Sequence, residues 1–151
     1  MKKLLLLFTL APCLTFGQTT YVPDDVLEEV LEGSLFDNDN YVLTSTVEGN
    51  ISLGLDGNDG QISDFTGLED AINLTQLIIR NMTAPTLQLV GVTVNYQLYF
   101  DNNLSSNIIL DNCAFNNFWV LLNPLLTTIE FHNSNSLISG PAGGGVDSHR
   151  G

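Results

Sequence analysis

The repeating unit that decides the fold is Leu98-Tyr99-Phe100-Asp101-Asn102, in which the first and third residues are apolar and the fifth is asparagine. Five further segments follow this pattern closely, and the six units begin at Leu77, Leu87, Leu98, Ile108, Trp119 and Ile129. Every second unit begins 21 residues after its predecessor, as Leu77, Leu98 and Trp119 do. This step predicts a solenoid in which each coil of about 21 residues contributes two short strands.

The alternation within each unit predicts which side chains fill the core. Successive residues of a strand point to opposite faces, so the first and third residues should point inward. The predicted inward rows are Leu77/Leu98/Trp119 and Ile79/Phe100/Leu121 on a first wall, and Leu87/Ile108/Ile129 and Leu89/Leu110/Phe131 on a second wall. Stacked coils would thereby place two parallel sheets on opposite sides of a narrow core.

The fifth residue of each unit is predicted to form a corner of the coil. Asparagine tolerates turn geometry there, and its amide can bond backbone groups that a bend leaves unpaired. The predicted structural ladder consists of Asn81, Asn102, Asn123, Asn112 and Asn133. Gly91 stands in place of asparagine in one unit and would serve the bend through its backbone freedom.

The N-terminal residues are typical of a secretory signal peptide. Two lysines at positions 2 and 3 precede a short leucine-rich run, and small residues near Gly17 suit cleavage. Residues 1–17 are therefore predicted to be removed during export, which makes the protein secreted or attached to the cell surface. Lipid attachment at Cys13 is disfavoured because Pro12 precedes it.

Three further segments follow the signal peptide. Residues 18–50 are predicted to cap the N-terminal end of the core with a short amphipathic helix, whose apolar positions are 26, 27, 30 and 31. Asp24 suits its N-cap and Gly33 its end, and residues 34–50 are expected to be mostly loop. Residues 51–137 form the repeat solenoid, and residues 138–151 have the composition of a Gly-rich tail or linker.

Charge and cysteine content exclude several classes of protein. The chain has 17 acidic residues against 4 basic ones, for a net charge of −13. Such a chain repels phosphate backbones and anionic membranes, so no nucleic acid and no membrane insertion after signal cleavage are expected. Cleavage would leave Cys113 as the only thiol, which precludes an intramolecular disulfide bond.

Three stretches resemble exported leucine-rich repeat proteins of Bacteroidetes-type bacteria. They are Thr20-Tyr21-Val22-Pro23-Asp24-Asp25 before an acidic helix, the segment Ile62–Leu77 that opens the repeats, and Leu98–Leu104. The resemblance runs from Thr20 to Leu137 and suggests an N-terminal portion with few, degenerate repeats. Asn95 and Asn116 depart from the pattern, since they stand where Leu74 leads the first unit.

The resemblance implies a right-handed β-solenoid of the leucine-rich-repeat type. It also implies binding of a protein or glycan partner at the cell surface, without a reaction.

The outward positions of the first wall form the candidate binding face. These positions are the more apolar of the two walls, and exposed apolar strips mark contact surfaces. The candidate residues are Ile78, Tyr99, Val120, Gln97, Phe118, Arg80 and Asp101. Two alternatives stay open: neighbouring coils or a dimer partner cover the strip, or the register is displaced by one residue and these side chains are core.

The sequence contains no pattern specific enough to predict a catalytic, metal-binding or cofactor-binding residue. Asp37, Asp39 and Glu48 occupy positions 1, 3 and 12 of a calcium loop, but Tyr41 and Val42 fail its fifth and sixth positions. A solvated acidic loop is the simpler interpretation, and Asp56–Gly60 is likewise interpreted as a plain turn. His132 is expected to be a surface histidine and Cys113 a small buried residue.

Three alternative functions remain beside binding. The chain could be a structural segment of a larger adhesin or a calcium-dependent surface module. A β-helix polysaccharide lyase is a remote alternative, because its chemistry needs several cationic side chains and the predicted folded part contains only Arg80.

Overall fold

A computed structural model describes residues 17–33 and 37–136. The predicted signal peptide, apart from Gly17, and the Gly-rich tail lie outside these ranges. The elements are β1 Thr19–Tyr21, α1 Asp25–Glu32, β2 Tyr41–Leu43, α2 Thr44–Glu48, β3 Ser52–Asp56, a 3-10 turn Leu68–Asp70, β4 Gln76–Arg80, β5 Thr86–Val90, β6 Thr93–Asp101, β7 Asn107–Asp111, β8 Ala114–Leu121, β9 Thr128–His132 and β10 Asn135–Ser136. Among the helices so described, none has the length and apolar content that crossing a bilayer requires.

The repeats form a β-solenoid of about four coils with a spacing of about 21 residues, as the sequence predicted. The first wall is a parallel sheet with strand order β10-β8-β6-β4-β3, and the second wall is a parallel sheet with order β5-β7-β9. Strands β1 and β2 form a separate antiparallel pair within residues 18–50, the N-terminal unit.

Most of the predicted inward rows are confirmed. On the first wall Leu77 pairs with Leu98 and Ile79 with Phe100, and each of the four is at most 1% exposed. On the second wall the rows Leu87/Ile108/Ile129 and Leu89/Leu110/Phe131 are in the predicted register. A fully buried side chain of this size contributes about 1.5–3 kcal/mol to folding, so these rows hold the coils together.

The prediction for the third coil of the first wall is wrong by one residue. Strand β6 carries an extra residue between Val94 and Gln97, after which Leu98 pairs with Phe118 and Phe100 with Val120. Phe118 and Val120 therefore pack against the core, whereas Trp119 and Leu121 are 41% and 43% exposed. A one-residue slip exchanges the two faces of a strand.

The aromatic contacts give the physical reason for this slip. The ring of Phe118 lies 5.9 Å from Phe100, 5.5 Å from Phe115 and 5.5 Å from Phe131, measured between ring centroids. Edge-to-face and tilted contacts of this kind add to the stabilisation from burial. The register with Phe118 inward gains all three contacts and leaves the larger indole of Trp119 outside the narrow core.

The corner asparagines adopt the predicted turn geometry, but the predicted ladder is only partly present. Asn81, Asn102, Asn112 and Asn133 all have positive φ, between 51° and 58°, and Gly91 has φ 72°. Asn102 donates to the Oδ1 atom of Asn81 at 2.7 Å, and Asn81 donates to Asp56 at 2.7 Å. For Asn112 and Asn133, no side-chain hydrogen bond is found within residues 37–136.

Asn123 is not the corner residue of its coil, because the same slip puts Leu122 there with φ 50°. The Oδ1 atom of Asn123 accepts from the backbone of Asn103, and its amide donates to the carbonyl of Phe100. Asn103 makes the equivalent contacts one coil earlier, to the backbone of Met82 and Ile79. The residue after each of these corners thus ties two coils together through buried or half-buried amide groups.

The N-terminal helix is confirmed with both of its predicted ends. Helix α1 begins after Asp24, whose side chain accepts from the backbone of Leu27 at 3.2 Å, and it ends at Gly33, with φ 59°. Leu27 and Leu31 belong to the same buried cluster as the coils. The expectation that residues 34–50 are mostly loop missed two short elements, β2 and α2, which together cover residues 41–48.

Candidate binding face

The outward surface of the first wall carries a central apolar row. Strand pairing aligns Gly54, Ile78, Tyr99 and Trp119 across four successive strands. The rings of Tyr99 and Trp119 are nearly parallel, at 12°, with centroids 6.0 Å apart. In the next strand, β10, the described residues Asn135 and Ser136 pair with Ala114 and Phe115. Among the described residues the indole of Trp119 ends the row, and this side chain is 41% exposed.

A row of polar side chains flanks the aromatic row on one side. It consists of Ser52, Gln76, Gln97 and Asn117, aligned by the same pairing. Ser52 donates to Gln76 at 3.2 Å, and Gln76 donates to the carbonyl oxygen of Gln97 at 3.0 Å. The side-chain amide nitrogen (Nε2) of Gln97 has no hydrogen-bond partner among the residues that the structure describes. Since the chain of amides is ordered, this N–H pair is a preoriented donor beside Tyr99.

A charged row flanks the aromatic row on the other side. Arg80 contacts the carboxylate of Asp56 at 2.8 Å and keeps half of its own side chain exposed. The hydrogen bond from Asn81, the backbone amide of Asn58 and the charge of Arg80 together hold the pKa of Asp56 below its usual value. Asp101 stands next to Arg80 in the same row. This edge of the face therefore offers both a guanidinium group and carboxylate groups.

Five of the seven predicted face residues lie on this surface: Ile78, Tyr99, Gln97, Arg80 and Asp101. The other two, Phe118 and Val120, are inward and are corrected above. Sequence reasoning missed Trp119, which takes the outward position next to Tyr99. The alternating apolar residues 118 and 120 were a signal for this register, but the equally apolar pair 119 and 121 competed with it.

Other candidate groups have local structural partners. A groove of about 520 Å³ beside strand β5 is lined by Asp64 and Glu69, among others, and these carboxylates accept backbone amides of their own turn at 2.9 and 2.7 Å. His132 is exposed as predicted and lies 3.1 Å from Glu130. Cys113 is buried as predicted, and burial raises the pKa of its thiol.

The acidic residues of the predicted calcium loop separate into two places. Carboxylate oxygens of Asp37 and Asp39 lie within 4.8 Å of each other and of a third carboxylate, which belongs to Glu28. Glu48 lies on α2 and is not a member of this group. The structure therefore replaces the third residue of the predicted set with one from helix α1.

Comparison of the chain with protein-family models, with curated proteins and with solved structures gave no match.

Proposed function

We propose that this protein is a non-catalytic binding module that holds a protein or glycan partner on the outward surface of its first wall. The observation that carries the proposal is the outward row of Ile78, Tyr99 and Trp119, in which Ile78 and Tyr99 are half-buried and the indole of Trp119 is 41% exposed. Tyrosine, tryptophan and arginine dominate the energetics of interfaces, and all three occur together on this surface.

The two flanking rows can make binding of a partner specific, in addition to the affinity that the aromatic row supplies. An aromatic row buries apolar area of a partner, whereas the amides of Gln76 and Gln97 and the charges of Arg80 and Asp101 supply directional hydrogen bonds. Neighbouring coils position all of these groups through parallel strand pairing. Rigid side chains lose little conformational freedom on binding, which favours affinity.

The type of repeat and the route of export belong to the same proposal. Short strands at a 21-residue step with corner asparagines support a leucine-rich-repeat type of coil, and the sequence of residues 1–17 supports export to the cell surface. The N-terminal unit would act as a cap: Leu27 and Leu31 of α1 join the core cluster that Leu53 and Leu55 of the first coil strand also belong to.

The test compares face variants with a matched aromatic control. Trp119→Ala and Tyr99→Ala should each weaken capture of ligands found on a glycan array or a panel of surface proteins by about tenfold or more. Tyr41→Ala is the control, because Tyr41 is 50% exposed but lies in the N-terminal unit. Circular dichroism and Tm should stay close to wild type in all three. Ligands that bind both face variants as tightly as wild type would overturn the proposal.

A second candidate function is a structural segment of a larger adhesin. It is favoured by the far end of the core, where Phe131 points inward in its row but is 48% exposed, and Leu125 is 56% exposed. A further coil stacked on this end would bury both side chains. Under this alternative the face variants change no binding, and an added coil raises Tm.

A further inference from the structure

Glu28 is the most unusual acidic residue of the described chain. It lies on α1, its relative exposure is 0%, and neither carboxylate oxygen has a hydrogen-bond partner in the described part of the structure. Burying a polar group without a partner is strongly unfavourable, and burying a charge is more so. A ligand that supplies positive charge would remove this penalty.

Three further acidic residues lie near Glu28. Its carboxylate lies within 4.8 Å of oxygens of Asp37 and Asp39, which are both exposed. Glu32 follows one turn later on the helix and also has a buried, unpartnered oxygen. Burial, and repulsion by the nearby Asp37, raise the pKa of Glu32. The arrangement therefore concentrates negative charge at one point between the helix and the following segment.

No basic side chain of the described residues is available to neutralise this group. Arg80 is the one lysine or arginine in residues 17–33 and 37–136, and it pairs with Asp56 on the first wall. His132 lies on β9 and pairs with Glu130. The carboxylates of Glu28, Asp37 and Asp39, with Glu32 nearby, thus have no counter-charge from a basic side chain of the described residues.

We propose that Glu28, Asp37 and Asp39 bind one divalent metal cation, calcium in the first place, with Glu32 at the edge of the site. Calcium takes oxygen ligands at about 2.3–2.6 Å in irregular geometry, so two of its ligands can lie up to about 5 Å apart. Three carboxylates within 4.8 Å of one another fit around such an ion. Magnesium demands shorter, nearly octahedral contacts and suits this asymmetric set less well.

The exposure of each ligand indicates how an ion would enter the site and from which side each carboxylate would contact it. Asp37 and Asp39 face solvent, so an ion can enter from that side and keep water as its remaining ligands. Asp39 uses its Oδ1 atom to accept from the backbone of Tyr41 at 2.8 Å, which leaves Oδ2 for the metal. Glu28 closes the site from the protein side. Calcium would then link helix α1 to the segment that leads into β2.

The experiment measures calcium binding and thermal unfolding of the purified chain after treatment with a chelator. Calcium at about 10 mM should raise Tm by about 5 °C or more if the dissociation constant is about 0.1–1 mM, the range expected of weak extracellular sites. Titration calorimetry should give one site per chain. Magnesium at the same concentration controls for screening of the negative charge and should shift Tm much less.

Variants separate a built site from charge screening. Asp37→Asn is exposed and should fold normally, yet it should weaken calcium binding by about tenfold or more, because it removes one charged ligand. Glu29→Gln is the matched control on the exposed side of α1 and should bind calcium as wild type does. Glu28→Leu should raise Tm in chelator, since it removes a buried unpaired carboxyl group, and abolish the response to calcium.

Two results would overturn the proposal. One is the absence of both binding heat and a Tm shift at about 10 mM calcium, a concentration roughly a hundred times the tighter expected dissociation constant. The other is an equal loss of calcium response in Glu29→Gln and Asp37→Asn, which would indicate diffuse screening. Neither readout depends on a ligand at Trp119, so the outcome is separate from that of the binding proposal.

Discussion

Replacing Leu122 with asparagine should stabilise the protein. Leu122 has φ 50° and is 78% exposed, and it occupies the corner that Asn81 and Asn102 hold in the two preceding coils. Asparagine tolerates the left-handed region better than leucine, which relieves about 0.5–1 kcal/mol of backbone strain. Its amide would also donate to Asn102, as Asn102 donates to Asn81, for about another 0.5–1 kcal/mol at an exposed position. The total gain is about 1–2 kcal/mol, or about 4–8 °C in Tm.

Urea unfolding followed by circular dichroism measures this gain, and two further variants apportion it. Leu122→Gly relieves the strain without the amide, so it should gain less than Leu122→Asn, and the difference reports the ladder bond. Leu125→Asn removes another exposed leucine, which is 56% exposed and lacks positive φ, and it should leave stability unchanged within about 0.5 kcal/mol. The reasoning fails if Leu122→Asn is no more stable than wild type, or if Leu125→Asn gains as much.

Three other outcomes are expected. Asn103→Ala should lower the free energy of unfolding by about 2–4 kcal/mol in urea, because it leaves two backbone groups unpaired inside the solenoid, whereas the exposed Asn58→Ala should change it little. The thiol of Cys113 should react with a disulfide reagent far more slowly in the native protein than in guanidinium, since burial both hides it and raises its pKa; equal rates would contradict this. The lowered pKa of Asp56 stabilises the fold at pH values above the ordinary pKa of 3.8, and this stabilisation is lost as pH falls through the lower pKa of the folded state. Asp56→Asn removes the titrating group but keeps an oxygen that Asn81 can still contact. The Tm of this variant should therefore depend less on pH below pH 3.8 than the Tm of wild type.

Much of the fold was predictable because two signals agreed in most coils. The 21-residue step fixed which strands pair, and the alternation of apolar residues fixed which side chains point inward, as at Leu77 and Leu98. On the second wall both signals hold throughout, and every predicted pair there is observed. Helix α1 was predictable for a similar reason, since Asp24 and Gly33 mark its ends by local chemistry alone.

The third coil shows why the rest could not be predicted. Spacing aligned Asn123 with Asn102, but Asn123 instead repeats the contacts of Asn103, the second asparagine of a pair. Deciding between these alignments requires the contacts of Phe118 with Phe100 of β6, Phe131 of β9 and Phe115 of its own strand, and the sequence alone does not show these contacts. The same decision moved Trp119 to the candidate face, so an error of one residue changed the site more than the fold.

The acidic site was missed for a different reason. A linear loop pattern joined Asp37 and Asp39 to Glu48, whereas the structure joins them to Glu28, which precedes them on a helix. The apolar face assigned to α1 also contained Val30, which is 39% exposed, while Glu28 is fully buried. Hydrophobic periodicity assumes that charged residues face solvent, so it cannot find a buried carboxylate.

The extra residue between Val94 and Gln97 has a consequence for how this surface can vary. Beyond it, every side chain of β8 exchanges sides, while the hydrogen bonds between β6 and β8 continue in the new register. Gain or loss of one residue at such a point within a strand therefore replaces a whole set of outward side chains in a single event. Length change, rather than point substitution, is then the economical way for this scaffold to present a new surface to its surroundings.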